Sequence, residues 1–130
     1  MTTGRLTRVV LVEDHPAVRE HLVAVLDAAG LDVIATAGDL GGGHETVLRL
    51  RPDVVVVDNR LPDGGGFELC EVLLREVPEV ALVVHSGAVT GAETERALAL
   101  GVHAVVPKSL RGHDLVDAVR LAVTDRRPAP

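Results

Sequence analysis

Four short apolar runs dominate the hydrophobic pattern of the chain, and each ends at a polar residue. They cover residues 9–12, 54–57, 80–84 and 104–107, and valine is their commonest residue. Because the runs are continuous rather than alternating, they predict strands that are buried on both faces of a parallel sheet. Pro107 cannot donate to a strand ladder, so the last of these strands is expected at an edge of the sheet.

Segments with helical spacing separate the apolar runs. Their inward-facing residues are predicted to be Val18, Leu22, Val25, Leu26 and Ala29; Val47, Leu48 and Leu50; Phe67, Cys70, Leu73, Leu74 and Val77; and Leu115, Val116, Val119, Ala122 and Val123. A further strand is predicted over 32–37 and a weak, alanine-rich helix over 93–100, with Gly30 and Gly101 ending helices. The glycines at 41–43 and 64–66 match no phosphate-binding fingerprint and are predicted to be loops.

This alternation of strands and helices predicts an α/β domain of the (βα)5 type. Such a domain has a five-stranded parallel sheet, right-handed crossovers and helices on both faces. The domain is expected to span residues 1–124, and residues 125–130 are expected to be a linker stump or a disordered tail.

Polar side chains with related chemistry follow four of the predicted strands. In a parallel sheet the ligand site lies beyond the carboxyl ends of the strands. The acidic pair Glu13-Asp14, then Asp58, Ser86 and Lys108 are therefore expected to converge there, although they are far apart along the chain. Lys108 is the only lysine in the sequence.

Three carboxylates brought together repel one another. At a separation of ~5 Å and an effective dielectric constant of ~20, each pair costs about 3 kcal/mol. One lysine compensates only part of this charge, so the cluster must either raise its pKa values or bind a divalent cation. Oxygen ligands favour Mg²⁺ over zinc or copper. The histidines have no companion at metal-binding spacing and are interpreted as solvated or hydrogen-bonded side chains.

Asp58 is the candidate nucleophile of this site. A carboxylate can accept a phosphoryl group and form an acyl phosphate. Mg²⁺, the Lys108 ammonium and the Ser86 hydroxyl would stabilise the charge on the equatorial phosphoryl oxygens, which is most of what phosphoryl transfer requires.

Composition narrows the range of functions. The 130 residues carry a net charge of −6 and include one Phe but no Trp or Tyr, which argues against nucleic-acid binding by this segment. No apolar stretch reaches the ~20 residues that a membrane span requires. The short N-terminal segment leaves no room for a signal peptide, and a lone Cys70 fits a reducing compartment. A cytoplasmic domain is expected.

Taken together, these motifs resemble a response-regulator receiver domain of two-component signalling, over essentially the whole chain. The matching pieces are the acidic pair at 13–14, residues 58–63 with Gly66 eight positions after Asp58, the pair Ser86-Gly87, and Lys108. The strings at 13–16 and 58–62 look most like the NarL/LuxR-type branch.

The resemblance implies a flavodoxin-like strand order 2-1-3-4-5 and a role for each site residue. Asp58 would be the phosphoacceptor for a histidine kinase, and Ser86 and Lys108 would contact the phosphoryl group. Asp14, Asp58 and the Arg60 backbone carbonyl would bind Mg²⁺ directly, with Glu13 acting through water. The expected function is a regulatory switch rather than an enzyme, apart from its own phosphotransfer and a slow self-dephosphorylation.

Partners and output also follow from the resemblance. Receivers of this branch usually precede a DNA-binding helix-turn-helix, so a transcriptional output through such a domain is expected, without direct DNA binding by this segment. A homodimer through the fourth helix, fifth strand and fifth helix is expected. Val105 stands where receivers commonly carry Tyr or Phe, so the switch is predicted to lie mainly in the loop at 87–91. Arg60 and Ala88 offer no group that orients an attacking water.

Two other classes of function compete with this one. The first is a receiver-like binding module that is not controlled by phosphorylation. The second is an enzyme on a doubly wound fold. A haloacid-dehalogenase-like phosphatase would need an aspartate where Arg60 stands, and a dinucleotide-binding enzyme would need a glycine fingerprint after the first strand.

Overall fold

A five-stranded parallel sheet forms the centre of the molecule in the computed structural model, which describes residues 5–87, 89–108 and 113–125. Its strands are β1 (Arg8–Val12), β2 (Asp32–Ala37), β3 (Val54–Asp58), β4 (Ala81–Ser86) and β5 (Ala104–Pro107). Their spatial order is β2-β1-β3-β4-β5, with every ladder parallel. The predicted fold class and strand order are confirmed.

One helix follows each strand. They are α1 (Pro16–Ala28), α2 (Leu40–Leu50), α3 (Gly66–Glu76), α4 (Gly91–Leu100) and α5 (His113–Asp125). Buried residues of α1 and α5 pack in one hydrophobic layer, and those of α2, α3 and α4 pack in the other. The sheet is therefore covered on both faces, as the continuous apolar runs predict.

The pleat of the strands divides their side chains between these two layers. In β1, Val10 and Val12 lie in the layer with α2 and α3, whereas Val9 and Leu11 lie in the layer with α1 and α5. All four side chains are buried. A strand buried on both faces is well fixed in position, which suits it to hold a functional residue at its end.

Pro107 lies on an edge strand, as predicted. β5 pairs only with β4, and Pro107 is opposite Ser86. Proline has no N–H to donate to β4, and the Ser86 carbonyl instead accepts a hydrogen bond of 2.8 Å from the Lys108 N–H.

The prediction that residues 41–43 form a loop is wrong. These glycines belong to the first turns of α2, where the Asp39 side chain accepts a hydrogen bond of 2.6 Å from the Gly42 N–H. A Cβ added at Gly43 would lie 2.9 Å from the Val12 side chain. The N-cap and the close packing of α2 on β1 therefore outweigh the low helix propensity of glycine.

Residues 64–66 also differ from the predicted loop. Gly64–Gly65 forms a two-residue antiparallel ladder with Arg60–Leu61, and Gly66 is the first residue of α3. A hydrogen bond of 2.7 Å from the Gly66 N–H to the Asn59 carbonyl links the helix to the end of β3. The whole segment after β3 is thus regular and closely tied to the strand.

The last two helices refine the predicted boundaries. Thr90 caps α4 and exchanges two hydrogen bonds with Glu93, so the helix begins at Gly91. Gly101, with φ of 115°, ends it as predicted. α5 includes Asp125, which the sequence predicts to be part of the C-terminal tail. The rest of that predicted tail, residues 126–130, lies outside the described residues. Within the described ranges, no helix has the length and apolar character needed to cross a bilayer.

Candidate functional site

The predicted site residues meet at the carboxyl edge of the sheet. Asp58 and Ser86 are the last residues of β3 and β4, the acidic pair follows β1, and Lys108 follows β5. A cavity of about 400 Å³ opens there, and Asp14, Asp58, Arg60, Ser86 and Lys108 are among the residues that line it. The convergence that the strand pattern predicts is therefore present.

Lys108 lies between two of the three carboxylates. Its Nζ is 3.1 Å from Glu13 Oε1 and 3.4 Å from Asp58 Oδ2. The Lys108 backbone N–H also donates to the Ser86 carbonyl at 2.8 Å, which fixes the start of the loop after β5. One ammonium group therefore joins the carboxyl ends of β1, β3 and β5.

Glu13 lies beneath the cavity, with 1% of its side chain exposed. Burial raises the pKa of Glu13, and hydrogen bonds from the His15 N–H and from Lys108 reduce this effect without cancelling it. For Lys108, burial alone would lower the pKa, but the hydrogen bond to Glu13 and the negative charge of Asp58 outweigh burial and raise it. The lysine is therefore held in its charged form beside the acids.

Asp58 is also buried, and its backbone is tightly enclosed. Its Oδ1 accepts a hydrogen bond of 3.2 Å from the Arg60 N–H. A Cβ added at Gly66 would lie only 2.1 Å from the Asp58 carbonyl oxygen. The glycine eight residues after Asp58 is thus required by space, because no larger residue fits against the end of β3.

Asp14 completes the acidic cluster. Its Oδ1 is buried and accepts no hydrogen bond from the described residues. Ligand atoms of Glu13, Asp14, His15 and Asp58 all lie within 4.8 Å of one another. Three carboxylates compensated by one lysine leave two negative charges, which matches a divalent cation, and a buried carboxylate oxygen without a hydrogen bond from the described residues fits the same ion.

His15 is the member of this cluster that the sequence analysis did not predict. Its side chain is 70% exposed, and its Nδ1 is 3.2 Å from Asp14 Oδ1. His15 has no paired histidine or cysteine at metal-binding spacing, and its neighbours in the cluster are the carboxylates that immediately precede it in the chain. The adjacency of His15 to the acidic pair was the available signal.

The remaining predicted residues occupy the rim and wall of the cavity. Ser86 is 5% exposed and Arg60 is exposed, and both line the cavity. His85 lies opposite Asp58 in the ladder between β3 and β4, and burial followed by the charge of Lys108 lowers its pKa to about 4. A neutral imidazole therefore lies next to the site. Ala88 is outside the described residues.

A match to a family model identifies the class of protein to which this site belongs. Residues 9–120 match the family model of the response regulator receiver domain. The chain therefore belongs to the response regulator receiver domain family, and the resemblance found in the sequence is confirmed.

Individual relatives narrow this placement to a branch. The chain is 37% identical over 116 residues to the DNA-binding transcriptional activator DevR/DosR of Mycobacterium tuberculosis, which covers 88% of this chain and 54% of that protein. A crystal structure of a LuxR-family two-component response regulator from Aurantimonas superposes with a TM-score of 0.88 at 29% identity, covering 97% of this chain and 91% of the other. The likeness to the NarL/LuxR-type branch is confirmed.

Proteins of another kind are also similar to this chain. A protein-glutamate methylesterase/protein-glutamine glutaminase of Anaeromyxobacter dehalogenans is 37% identical over 113 residues, which cover 85% of this chain and 31% of that protein. The chain thus spans about half of the length of the transcriptional activator and about a third of the methylesterase.

Proposed function

We propose that this chain is the phosphoacceptor receiver of a two-component system, phosphorylated on Asp58 by a histidine kinase. One observation carries the proposal: the buried Asp58 carboxylate lies at an open cavity, with the Lys108 ammonium 3.4 Å from it and two further carboxylates beside it. A lone structural aspartate would need the lysine but not the additional acids, which raise the electrostatic energy of the site.

The proposed reaction is a transfer of the phosphoryl group between two nucleophiles. An oxygen of Asp58 forms a bond to phosphorus, while the bond from phosphorus to the kinase histidine nitrogen breaks and leaves its electron pair on that nitrogen. The Lys108 ammonium and the Ser86 hydroxyl stabilise the charge on the phosphoryl oxygens. A buried, fixed carboxylate needs little reorganisation to act in this way.

The acidic cluster fits Mg²⁺. Asp14, Asp58 and the Arg60 backbone carbonyl would hold the ion, and Glu13 would act through water. The ion would neutralise charge on the transferring phosphoryl group. The buried Asp14 Oδ1, which accepts no hydrogen bond from the described residues, and the two uncompensated negative charges of the cluster support this assignment.

The output surface is proposed to be the face formed by α4, β5 and α5. Ala97 is the one buried residue of α4, while Leu98 and Leu100 are about half exposed. A helix with so few buried contacts can unfold locally or shift against the sheet at a low cost in free energy. Phosphorylation would draw Ser86 toward Asp58, move the loop at 87–91 together with α4, and favour a homodimer through this face.

A space beside Val105 supports this location. A cavity of about 140 Å³ is lined by residues that include Ser86, Thr94 and Val105. The small, stiff Val105 side chain leaves room for the loop to move inward. Transcriptional output is proposed because of the similarity to LuxR-type regulators, and contact with DNA would belong to a separate output domain, since this chain carries a net charge of −6.

A stable phosphoryl mimic tests the proposal. In Mg²⁺, beryllofluoride should shift NMR resonances around Asp58, Ser86 and Lys108 in the wild type and in Asp117→Asn, a control that removes an exposed carboxylate on α5. Asp58→Asn should show no such shifts. Equal shifts in the Asp58→Asn variant, or none in the wild type, would favour the binding module that does not use phosphate.

A further inference from the structure

Arg60 places a guanidinium group on the rim of the cavity that contains Asp58. Its backbone is fixed, because Arg60 pairs with Gly65 in the short antiparallel ladder and its N–H donates to Asp58 Oδ1 at 3.2 Å. The residue is exposed, and its side chain forms no ion pair or hydrogen bond with the described residues. A fixed backbone therefore carries a long cationic side chain that can turn towards different anions.

Glu93, in the first turn of α4, is exposed to the charge of Arg60. Because β3 and β4 are neighbours in the sheet, the segment after β3 and the start of α4 both lie at the same carboxyl edge. Hydrogen bonds from Thr90 lower the pKa of Glu93, and the positive charges of Arg60 and Arg96 lower it further. Arg96 belongs to α4 itself, whereas Arg60 links Glu93 to the segment that follows β3.

Glu93 also fixes the start of α4. Its Oε1 accepts a hydrogen bond of 2.9 Å from the Thr90 N–H, and its own N–H donates to Thr90 Oγ1 at 3.1 Å. Ala97 is the one buried residue of this helix. The attraction between Arg60 and Glu93 therefore adds to the few interactions that hold the first turn of α4 near the site.

A phosphoryl group on Asp58 would be a stronger partner for Arg60 than Glu93 is. It brings about −1.5 to −2 charges and three acceptor oxygens, and the guanidinium fork matches phosphate oxygens in a bidentate way. Arg60 forms no direct ion pair with Glu93 or with another described residue, and Thr90 already engages one oxygen of Glu93. Little therefore opposes a turn of the guanidinium towards the cavity.

We propose that Arg60 transmits the phosphorylation state of Asp58 to α4 by exchanging Glu93 for the phosphoryl group as its anionic partner. In the unmodified protein, Arg60 attracts Glu93 and restrains the first turn of α4. In the phosphorylated protein, Arg60 binds the phosphoryl oxygens and α4 loses this restraint. The inference rests on the proposed function, and it gives the signal a carrier that the small, stiff Val105 side chain cannot provide.

Hydrogen exchange of the α4 amides in Mg²⁺, with and without beryllofluoride, tests this exchange of partners in the full chain. Beryllofluoride should speed their exchange in the wild type by about two- to fivefold, the effect of losing one exposed ion pair. Glu93→Gln removes the charge but keeps an oxygen that accepts from Thr90, so the capping box remains. This variant should exchange faster by a similar factor without beryllofluoride and should respond little to it. Glu95→Gln, which removes another exposed carboxylate of α4, should behave as the wild type does.

A double-variant cycle separates this attraction from the effect of Glu93 on the helix dipole. Arg60→Gln should also speed exchange in α4, but adding it to Glu93→Gln should give no further increase. An NMR titration should show the pKa of Glu93 rising towards 4.5 in Arg60→Gln. The inference is overturned if the two substitutions act independently on α4, or if Glu93→Gln responds to beryllofluoride as the wild type does.

Phosphate uptake from a small phosphodonor, measured on the same samples, separates the two proposals. Glu93→Gln should take up phosphate as the wild type does, because Glu93 lies outside the site. Normal uptake with an α4 response that does not depend on Glu93 would refute only the exchange of partners. No uptake by the wild type would refute the proposed function and this inference with it.

Discussion

Gly66→Ala should disrupt the end of β3 more than any conservative change on the surface. The added Cβ would lie 2.1 Å from the Asp58 carbonyl oxygen, 2.9 Å from its carbonyl carbon and 3.0 Å from the Asn59 Cα. Ordinary contacts begin near 3.4 Å, so the two segments must separate by about 1.3 Å, and the atoms in the way are backbone atoms that cannot rotate aside. We expect a loss of about 3 kcal/mol or more in the free energy of unfolding.

The same displacement should also slow the chemistry. It moves the backbone that carries the proposed nucleophile relative to Lys108, and a misplacement of about 1 Å costs about 100-fold in rate. Urea unfolding and the rate of phosphate uptake from a small phosphodonor measure the two effects separately.

Gly91→Ala is the matched control. A Cβ at this first residue of α4 meets nothing within 4 Å, and alanine favours a helix by about 0.5–1 kcal/mol. This variant should be at least as stable as the wild type. The steric argument fails if Gly66→Ala unfolds within about 0.5 kcal/mol of the wild type.

Three other expectations concern particular side chains. Asp63 accepts hydrogen bonds from two N–H groups at the start of α2, which lower its pKa. Asp63→Ala should therefore unfold more easily than the wild type at neutral pH. This difference in stability should shrink as the pH falls below 3.8 towards the lowered pKa. His85 is buried and neutral, and its pKa is lowered from 6.5 to about 4. On account of His85, the protein is therefore most stable above pH 6.5 and loses stability as the pH falls, because the unfolded chain binds the proton more readily. In denaturant titrations between pH 7 and 5.5, the free energy of unfolding of the wild type should fall by about 1 kcal/mol more than that of His85→Leu. The phosphorylated form should decay faster in the double variant Arg60→Asn with Ala88→Glu, because neither native side chain accepts a proton from water, and an unchanged or longer lifetime would contradict this.

The sheet and the site could be predicted from the sequence because both depend on simple local patterns. In an uninterrupted valine run such as 54–57, successive side chains point to opposite faces of the strand, so all of them leave water only if both faces are buried. Once the strands are parallel, their carboxyl ends lie together, and the residues that follow them must converge. The pairing of Lys108 with Glu13 and Asp58 follows from this geometry.

The glycine segments could not be assigned in the same way. Their propensity indicates loops, but residues 41–43 are helical because of the Asp39 cap and the close contact of Gly43 with Val12. Gly66 is the first residue of α3, and a glycine is required there because the helix start packs directly against the Asp58 backbone. The Asp39 cap is a local signal, but the contacts of Gly43 with Val12 and of Gly66 with Asp58 are tertiary, and no local sequence pattern reveals them. His15 follows the acidic pair directly in the sequence, but its approach to Asp14 depends on how the two side chains turn.

The most direct test of the account is the mass of the intact protein after incubation with Mg²⁺ and a small-molecule phosphodonor. The account predicts the addition of one phosphoryl group to the wild type, located at Asp58 by borohydride trapping and peptide mapping, and no addition to Asp58→Asn. No added phosphate on the wild type, or an equal addition to Asp58→Asn, would contradict the claim that Asp58 is the phosphoacceptor.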